Sequence, residues 1–141
     1  MSLKKTFLDA GVLIAAARGK DIEAARAMQV LDDPNREFVS SLFLKLEVLP
    51  KAIYEKRGDE ARFYETFFEA VTYWAEPDNY LIKDAYQKAC KYGLAAMDAL
   101  HISAAIFARS DEFVTTEKHD KPIHRVKSIK VVSLNPSRRL G

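Results

Sequence analysis

The chain has 141 residues, 22 Lys and Arg against 20 Asp and Glu, and 48% apolar residues, a balance that predicts one folded domain over residues 1–141 and excludes a mainly disordered chain. At this length folding removes roughly two-thirds of the unfolded chain's surface from water, so a core forms without disulfides or a structural metal. The longest apolar run, residues 10–17, is far short of the ~20 residues that cross a bilayer, and no basic head with a cleavable apolar segment opens the chain, so the expected location is the cytoplasm, with no membrane contact.

Lys5-Thr6-Phe7-Leu8 is short and β-prone and runs into Asp9-Ala10-Gly11, predicting a strand that ends in a turn before Val12-Leu13-Ile14. Over 21–31, Ile22, Ala25, Met28 and Leu31 recur every three residues, a helix that Asp32-Asp33-Pro34-Asn35 stops. Glu37-Phe38-Val39-Ser40 reads as a second strand. Ser41 can cap a following helix with apolar positions Leu42, Leu46, Leu49 and Ile53. Pro50 should bend it, because proline lacks the amide proton that bonds the Leu46 carbonyl. Gly58-Asp59 separates this from a helix over 60–74 whose Phe63, Phe67, Ala70 and Trp74 share a face, expected in the core or at a contact with a partner. Glu76-Pro77-Asp78-Asn79 breaks the chain, a helix resumes over 80–92 with Gly93 as its stop, and an apolar-rich helix follows over 97–108. Cys90, the sole cysteine, is expected to be a buried small hydrophobe. Phe113-Val114-Thr115 and Val131-Val132-Ser133-Leu134 complete the strands. Strands separated by helices predict a three-layer α/β/α sandwich around a largely parallel sheet.

Open parallel sheets gather function where their strands end, at the carboxyl edge. Asp9 follows the first strand and Glu117 lies just past the Phe113 strand. Crossover helices run opposite to the strands and begin at that same edge, which adds Asp98, near the start of its helix, and Glu47, within two turns of the start of the helix after Ser40. Two unit charges ~4 Å apart repel by several kcal/mol at the effective dielectric of a protein surface. A hard divalent cation, Mg²⁺ or Mn²⁺, offsets this by binding carboxylate oxygens while keeping several waters. Such ions polarise a phosphate, acidify bound water and neutralise a leaving alkoxide, so the expected reaction is metal-assisted phosphodiester hydrolysis. Ser40 and Thr115 are expected to hydrogen-bond the carboxylates.

Each acid also has a plainer reading. Asp9 fits an Asx turn, although an acid between Phe7-Leu8 and Val12-Leu13-Ile14 is costly without a ligand. Asp98 reads equally as a cap or dipole partner of its helix, paired with His101 one turn on. Glu47 reads equally as a solvent-facing acid, and Glu117 as a solvated turn residue. His101, His119 and His124 offer no pair at the spacing of a helical zinc site.

Taken in series, Phe7-Leu8-Asp9-Ala10-Gly11-Val12-Leu13-Ile14, Ser40-Ser41-Leu42 leading to Leu46-Glu47-Val48, Met97-Asp98-Ala99-Leu100-His101-Ile102-Ser103-Ala104 and Phe113-Val114-Thr115-Thr116-Glu117-Lys118 resemble the PIN domain, the metal-dependent ribonuclease fold of VapC-type toxins. The resemblance implies a parallel sheet between helices, homodimers, an antitoxin partner, and Mg²⁺ or Mn²⁺ held at Asp9, Glu47 and Asp98 with Glu117 as a fourth acid. The chain departs from the pattern at Ala10 and Gly11, where a hydroxyl residue and Asn are common, at Glu117, where Asp is usual, and at His119, where another acid often stands; Asp120 is one position out of register. A net charge of +2 announces no nucleic-acid partner by itself, but Lys118, Lys121, Arg125, Lys127 and Lys130 face Asp120 alone over 118–130. Lys118, Lys121 and Arg125 are expected to hold an RNA backbone beside the metal; the plainer reading is a solvated basic loop. The rival to a ribonuclease is a PIN-fold module, weakly active or inactive, that binds nucleic acid or protein. A phosphatase built on Asp9 is disfavoured by Gly11, which stands where a second acid would serve.

Overall fold

A computed structural model of the chain describes residues 2–136. Strand β1 (Lys4–Leu8) is followed by α1 (Ala10–Arg18) and α2 (Ile22–Leu31), then β2 (Arg36–Ser41), α3 (Leu42–Tyr54), α4 (Gly58–Ala70) and β3 (Tyr73–Ala75). Helices α5 (Asn79–Tyr92) and α6 (Ala96–Phe107) lead to β4 (Glu112–Thr115), and a 3-10 turn (Pro122–Arg125) leads to β5 (Lys130–Ser133). The five strands pair in the order β3-β2-β1-β4-β5, and every pairing is parallel. The predicted α/β/α sandwich is therefore observed, with a sheet that is parallel throughout.

Local chemistry explains most boundaries. Asp21 and Asp78 accept the Ala24 and Leu81 amides at 3.0 Å to cap α2 and α5, and Ser41 Oγ accepts the Leu44 amide at 3.3 Å to cap α3. Gly93, at φ 69°, closes α5 in the left-handed conformation that glycine adopts without strain. The core is the sheet's two faces: Phe7 stacks on Phe113 at 5.6 Å between ring centroids, and Leu8, Val39 and Val114 are fully buried. Right-handed crossovers place the helices that follow β1 and β2 on one face, and α5 and α6, which reverse direction across the sheet, on the other. The strand order thus reverses between the paired neighbours β1 and β4, the chain leaving β1 on one face and reaching β4 from the other, and this opens a crevice at their carboxyl ends.

Four expectations need correction. No turn separates β1 from the next element; α1 begins at Ala10, directly after Asp9. The helix expected over 60–74 ends at Ala70, and Trp74 belongs to β3, paired with Ser40. Val71-Thr72-Tyr73-Trp74 is a β-branched and aromatic run that suits a pleated edge, and the helical spacing of Ala70 and Trp74 is incidental. The apolar face chosen for α3 is largely the outer one: Leu42, Leu46 (70% exposed) and Ile53 face solvent, whereas Leu44, Val48, Leu49 and Ala52 are buried. A helix apolar nearly all round carries no unambiguous stripe. Cys90 is exposed on α5.

Candidate active site at the carboxyl edge of the sheet

Asp9 emerges where β1 ends beside β4, its amide bonded to the Val114 carbonyl at 2.9 Å. It is only 8% exposed, and both carboxylate oxygens are engaged: Oδ1 accepts the Ala10 amide at 2.8 Å as the cap of α1, and Oδ2 accepts the Thr115 hydroxyl at 2.9 Å. Burial raises its pKa, outweighing the lowering by the charge of His101 and by the bonds from Thr115 and Ala10, and Glu47 adds to the rise.

Asp98 lies in the first turn of α6 and is half-buried. The cap position of this helix is Ala95, with no side-chain cap bond, so Asp98 is not its cap. Its pKa is pushed up to about 6, first by burial and then by the charges of Asp9 and Glu117, with His101 opposing and Glu47 adding. The four acids nominated from sequence thus act on one another through space.

Glu47, in the second turn of α3, has its Oε2 2.6 Å from His101 Nε2. His101 therefore pairs with Glu47, not with Asp98 as its spacing suggested. Glu117 is exposed past β4; its amide donates to Thr115 Oγ at 3.1 Å, and its carbonyl accepts from the Ser133 hydroxyl at 2.6 Å and lies 3.0 Å from His124 Nε2. Thr115 thereby links two of the acids. Ser40 does not share this role: its hydroxyl is buried and makes no hydrogen bond.

Two features escaped the sequence reading. Glu23 on α2 has its pKa raised by burial, then by Asp21 and Glu117, so a fifth carboxylate borders the group. The niche beside Gly11 is filled by Thr116: a Cβ built on Gly11 would meet Thr116 Oγ1 at 2.2 Å. Among the basic residues, Lys118 and Lys121 are exposed, whereas Arg125 donates to the Tyr92 carbonyl at 3.0 Å and so anchors the loop to the end of α5. The rings of His119 and His124 lie 5.1 Å apart.

The opposite edge of the sheet handles a buried acid differently. Glu112 accepts from Arg36 at 2.8 Å and from Thr6 at 2.7 Å; burial raises its pKa, but these bonds prevail and hold it below the ordinary range. Glu60, buried in the first turn of α4, accepts from Arg18 at the end of α1 at 2.8 Å and from Tyr64 at 2.6 Å. Among the described residues no lysine or arginine makes an ion pair with Asp9 or Asp98. The donor chemistry there, carboxylate oxygens with uncompensated charge, fits a hard divalent cation. As the side chains stand, no three acids or histidines among the described residues are spaced to close around an ion.

The PIN domain family profile matches residues 6–127. No curated protein matches the chain in sequence. Among solved structures, VapBC2 from Rickettsia felis, bound to a DNA fragment from its promoter, is similar with a TM-score of 0.70 and 13% identity over 92% of this chain and 98% of that one. A toxin–antitoxin complex from Klebsiella pneumoniae gives 0.67 and 21% identity, covering 92% and 97%. DNA-bound VapBC from Salmonella typhimurium gives 0.64 and 18%, covering 94% and 99%. These likenesses bear on the fold, and the family profile covers the segments that carry Asp9, Glu47, Asp98 and Glu117: the chain belongs to the PIN domain family.

Proposed function

We propose that the protein is a metal-dependent ribonuclease acting as the toxin of a toxin–antitoxin pair in the cytoplasm. The observation that carries this reading is the gathering of Asp9, Glu47, Asp98 and Glu117 at the β1/β4 crevice, with no arginine or lysine among the described residues paired to Asp9 or Asp98. Asp9, Glu47 and Asp98 would hold Mg²⁺ or Mn²⁺, with Glu117 at the rim. When bound, the ion supplies Lewis acidity at the phosphate and a more acidic water. The chain's own residues do the rest. Thr115 fixes Asp9 and the start of the Glu117 loop together. Asp98, its carboxyl near pKa 6 before any ion binds, is largely ionised at about neutral pH and so presents the charged oxygens that a cation takes. Lys118 and Lys121 extend from the same loop toward solvent, where they can hold the RNA backbone, while Arg125 sets the loop's course.

An antitoxin partner is supported by the likeness to solved toxin–antitoxin complexes. Phe63 and Phe67 of the predicted aromatic stripe line, with Met28, Leu31 and Phe38, a groove of about 440 Å³ between α2 and α4, which such a partner could enter. For homodimers, the apolar outer face of α3 is available to a second copy. No helix among the described residues is long and apolar enough to cross a membrane.

The test is cleavage of a panel of structured and single-stranded RNAs with Mn²⁺, with EDTA, and by Asp98→Asn. Cleavage that needs Mn²⁺ and is lost in Asp98→Asn supports the reading; metal-independent cleavage untouched by the substitution rejects it. The second reading, a binding module of weak or no activity, is favoured by one observation, that among the described residues no three donors close around an ion. Calorimetric titration with Mn²⁺ separates the two, since the module predicts no binding near neutral pH.

A further inference from the structure

We propose, resting on the nuclease reading above, that His101 is a positioning residue: it holds the Glu47 carboxylate at the sheet edge, turned toward Asp9 and Asp98, so that Glu47 can join them in binding the cation. The argument begins with the difference between the two side chains. Glu47 has three rotatable bonds and is 35% exposed, so an unanchored carboxylate there would spread over many rotamers, at a cost of about 1–2 kcal/mol each time it is ordered. His101 is 1% exposed, and its ring lies against Phe7 at 6.1 Å between centroids. Packing fixes the imidazole, and the 2.6 Å contact from Nε2 to Oε2 transfers that fixity to Glu47. A carboxylate can only accept, so Nε2 carries the proton and donates. The bond occupies Oε2 and leaves Oε1 to the ion.

Placement strengthens the case. His101 stands one turn beyond Asp98 on the same helix. Glu47 comes from α3, on the other side of the sheet, so its meeting with His101 spans the edge between the two helix layers. A role in stability alone explains His101 poorly. Its Nδ1 is buried without a partner, and such an orphaned polar atom costs about 1–3 kcal/mol; leucine would fill this space without that cost. What the histidine provides, and leucine cannot, is a rigid N–H aimed at Glu47. Partners that orient a ligand in this way typically carry 10–100-fold in metal affinity.

The experiment is Mn²⁺ titration calorimetry on the full chain and on His101→Leu, His101→Gln, Glu47→Gln and the double variant, with thermal unfolding to verify each fold. The expected result is a roughly 10–100-fold weaker Mn²⁺ affinity in His101→Leu. His101→Gln, whose amide keeps a donor within reach of Glu47, should recover most of it. In the Glu47→Gln background His101→Leu should add little further loss. If His101→Leu does not fold, His101→Asn replaces it, since its shorter amide cannot reach Glu47. Unchanged affinity in His101→Leu or its replacement, failure of Gln to restore binding, or a loss that persists undiminished beside Glu47→Gln overturns the proposal while leaving the nuclease reading intact. A wild-type chain that binds no Mn²⁺ and cleaves no RNA defeats the nuclease reading itself, and this proposal with it.

Discussion

Removing a carboxylate from the site should make the metal-free protein more stable, and Asp98→Asn is the cleanest case. The carboxyl is raised from an ordinary 3.8 to about 6 in the folded chain, so between those values the native state binds more protons than the unfolded state and stability falls as pH rises. The penalty is absent below the lower value and complete above the higher one. For a fully dehydrated group the difference corresponds to roughly 3 kcal/mol. Asp98 is only half-buried, so water screening reduces this to about 1.5 kcal/mol. The ionised form recovers ~0.5 kcal/mol from the dipole of α6, in whose first turn it sits. A net gain of about 1 kcal/mol for Asp98→Asn near neutral pH means roughly 3 °C in midpoint temperature for a chain of this size.

The assay is thermal unfolding followed by circular dichroism, in EDTA and in excess Mn²⁺, at neutral pH and again below about pH 4. In EDTA at neutral pH the Asn variant should unfold later than wild type, and at the acidic value the two should converge. Saturating Mn²⁺ should reverse the order, because an ion at a hundred times its Kd adds about 2.7 kcal/mol to wild type and little to the variant. An Asn variant that is equally or less stable in EDTA at neutral pH would falsify the idea that these acids strain the empty site.

Three other outcomes follow from the same geometry. Thr115→Val removes the hydroxyl that bridges Asp9 and the Glu117 amide; it should cost about 1–3 kcal/mol, raise the Asp9 carboxyl further and weaken Mn²⁺ binding, as unfolding and calorimetry would report. Gly11→Ala must displace Thr116 Oγ1 from its 2.2 Å approach and should destabilise the native chain, whereas in a Thr116→Ala background the same change should gain up to ~1 kcal/mol from helix propensity; a double-mutant cycle without that sign reversal refutes the packing argument. Replacing Lys118 and Lys121 with alanine should weaken RNA binding and flatten its salt dependence by about 1.4 in log–log slope if both touch phosphates, with Mn²⁺ affinity unchanged.

What could be read from the sequence was whatever period and topology alone determine. Asp9 after Phe7-Leu8 and Glu117 after Phe113-Val114-Thr115 needed only the positions of two strand ends, and Asp98 and Glu47 only the direction of the helices. The α3 face failed because Leu42, Phe43, Leu44, Leu46, Val48 and Leu49 leave too little polar contrast to say which side meets the sheet. Strand β3 failed because three residues carry almost no pattern, and its pairing with Val39, Ser40 and Ser41 is a long-range event. Ser40 and Thr115 are both strand-end hydroxyls in the sequence, yet only Thr115 faces a carboxylate; pleat direction decides this, and a one-residue change of register inverts it.

The least legible feature is the most informative about chemistry. Nothing in the order of residues says that Arg36 will neutralise Glu112 and Arg18 will neutralise Glu60 while Asp9 and Asp98 receive no such partner among the described residues. Once seen, the contrast excludes a shortage of cations as its cause, since 22 lysines and arginines are available and several reach buried acids elsewhere. It also separates two kinds of buried carboxylate. Against the raising effect of burial, bonds from Arg36 and Thr6 hold Glu112 and bonds from Tyr64 and Arg18 hold Glu60 at pKa values below the ordinary range, whereas Asp9 and Asp98 are held above it. An arginine at the β1/β4 crevice would relieve that repulsion permanently and would compete with an incoming cation for the same oxygens. The imidazole of His101 instead takes one oxygen of Glu47, and under the proposed function the charge left at the edge, which no internal cation would satisfy, would be what draws a divalent ion.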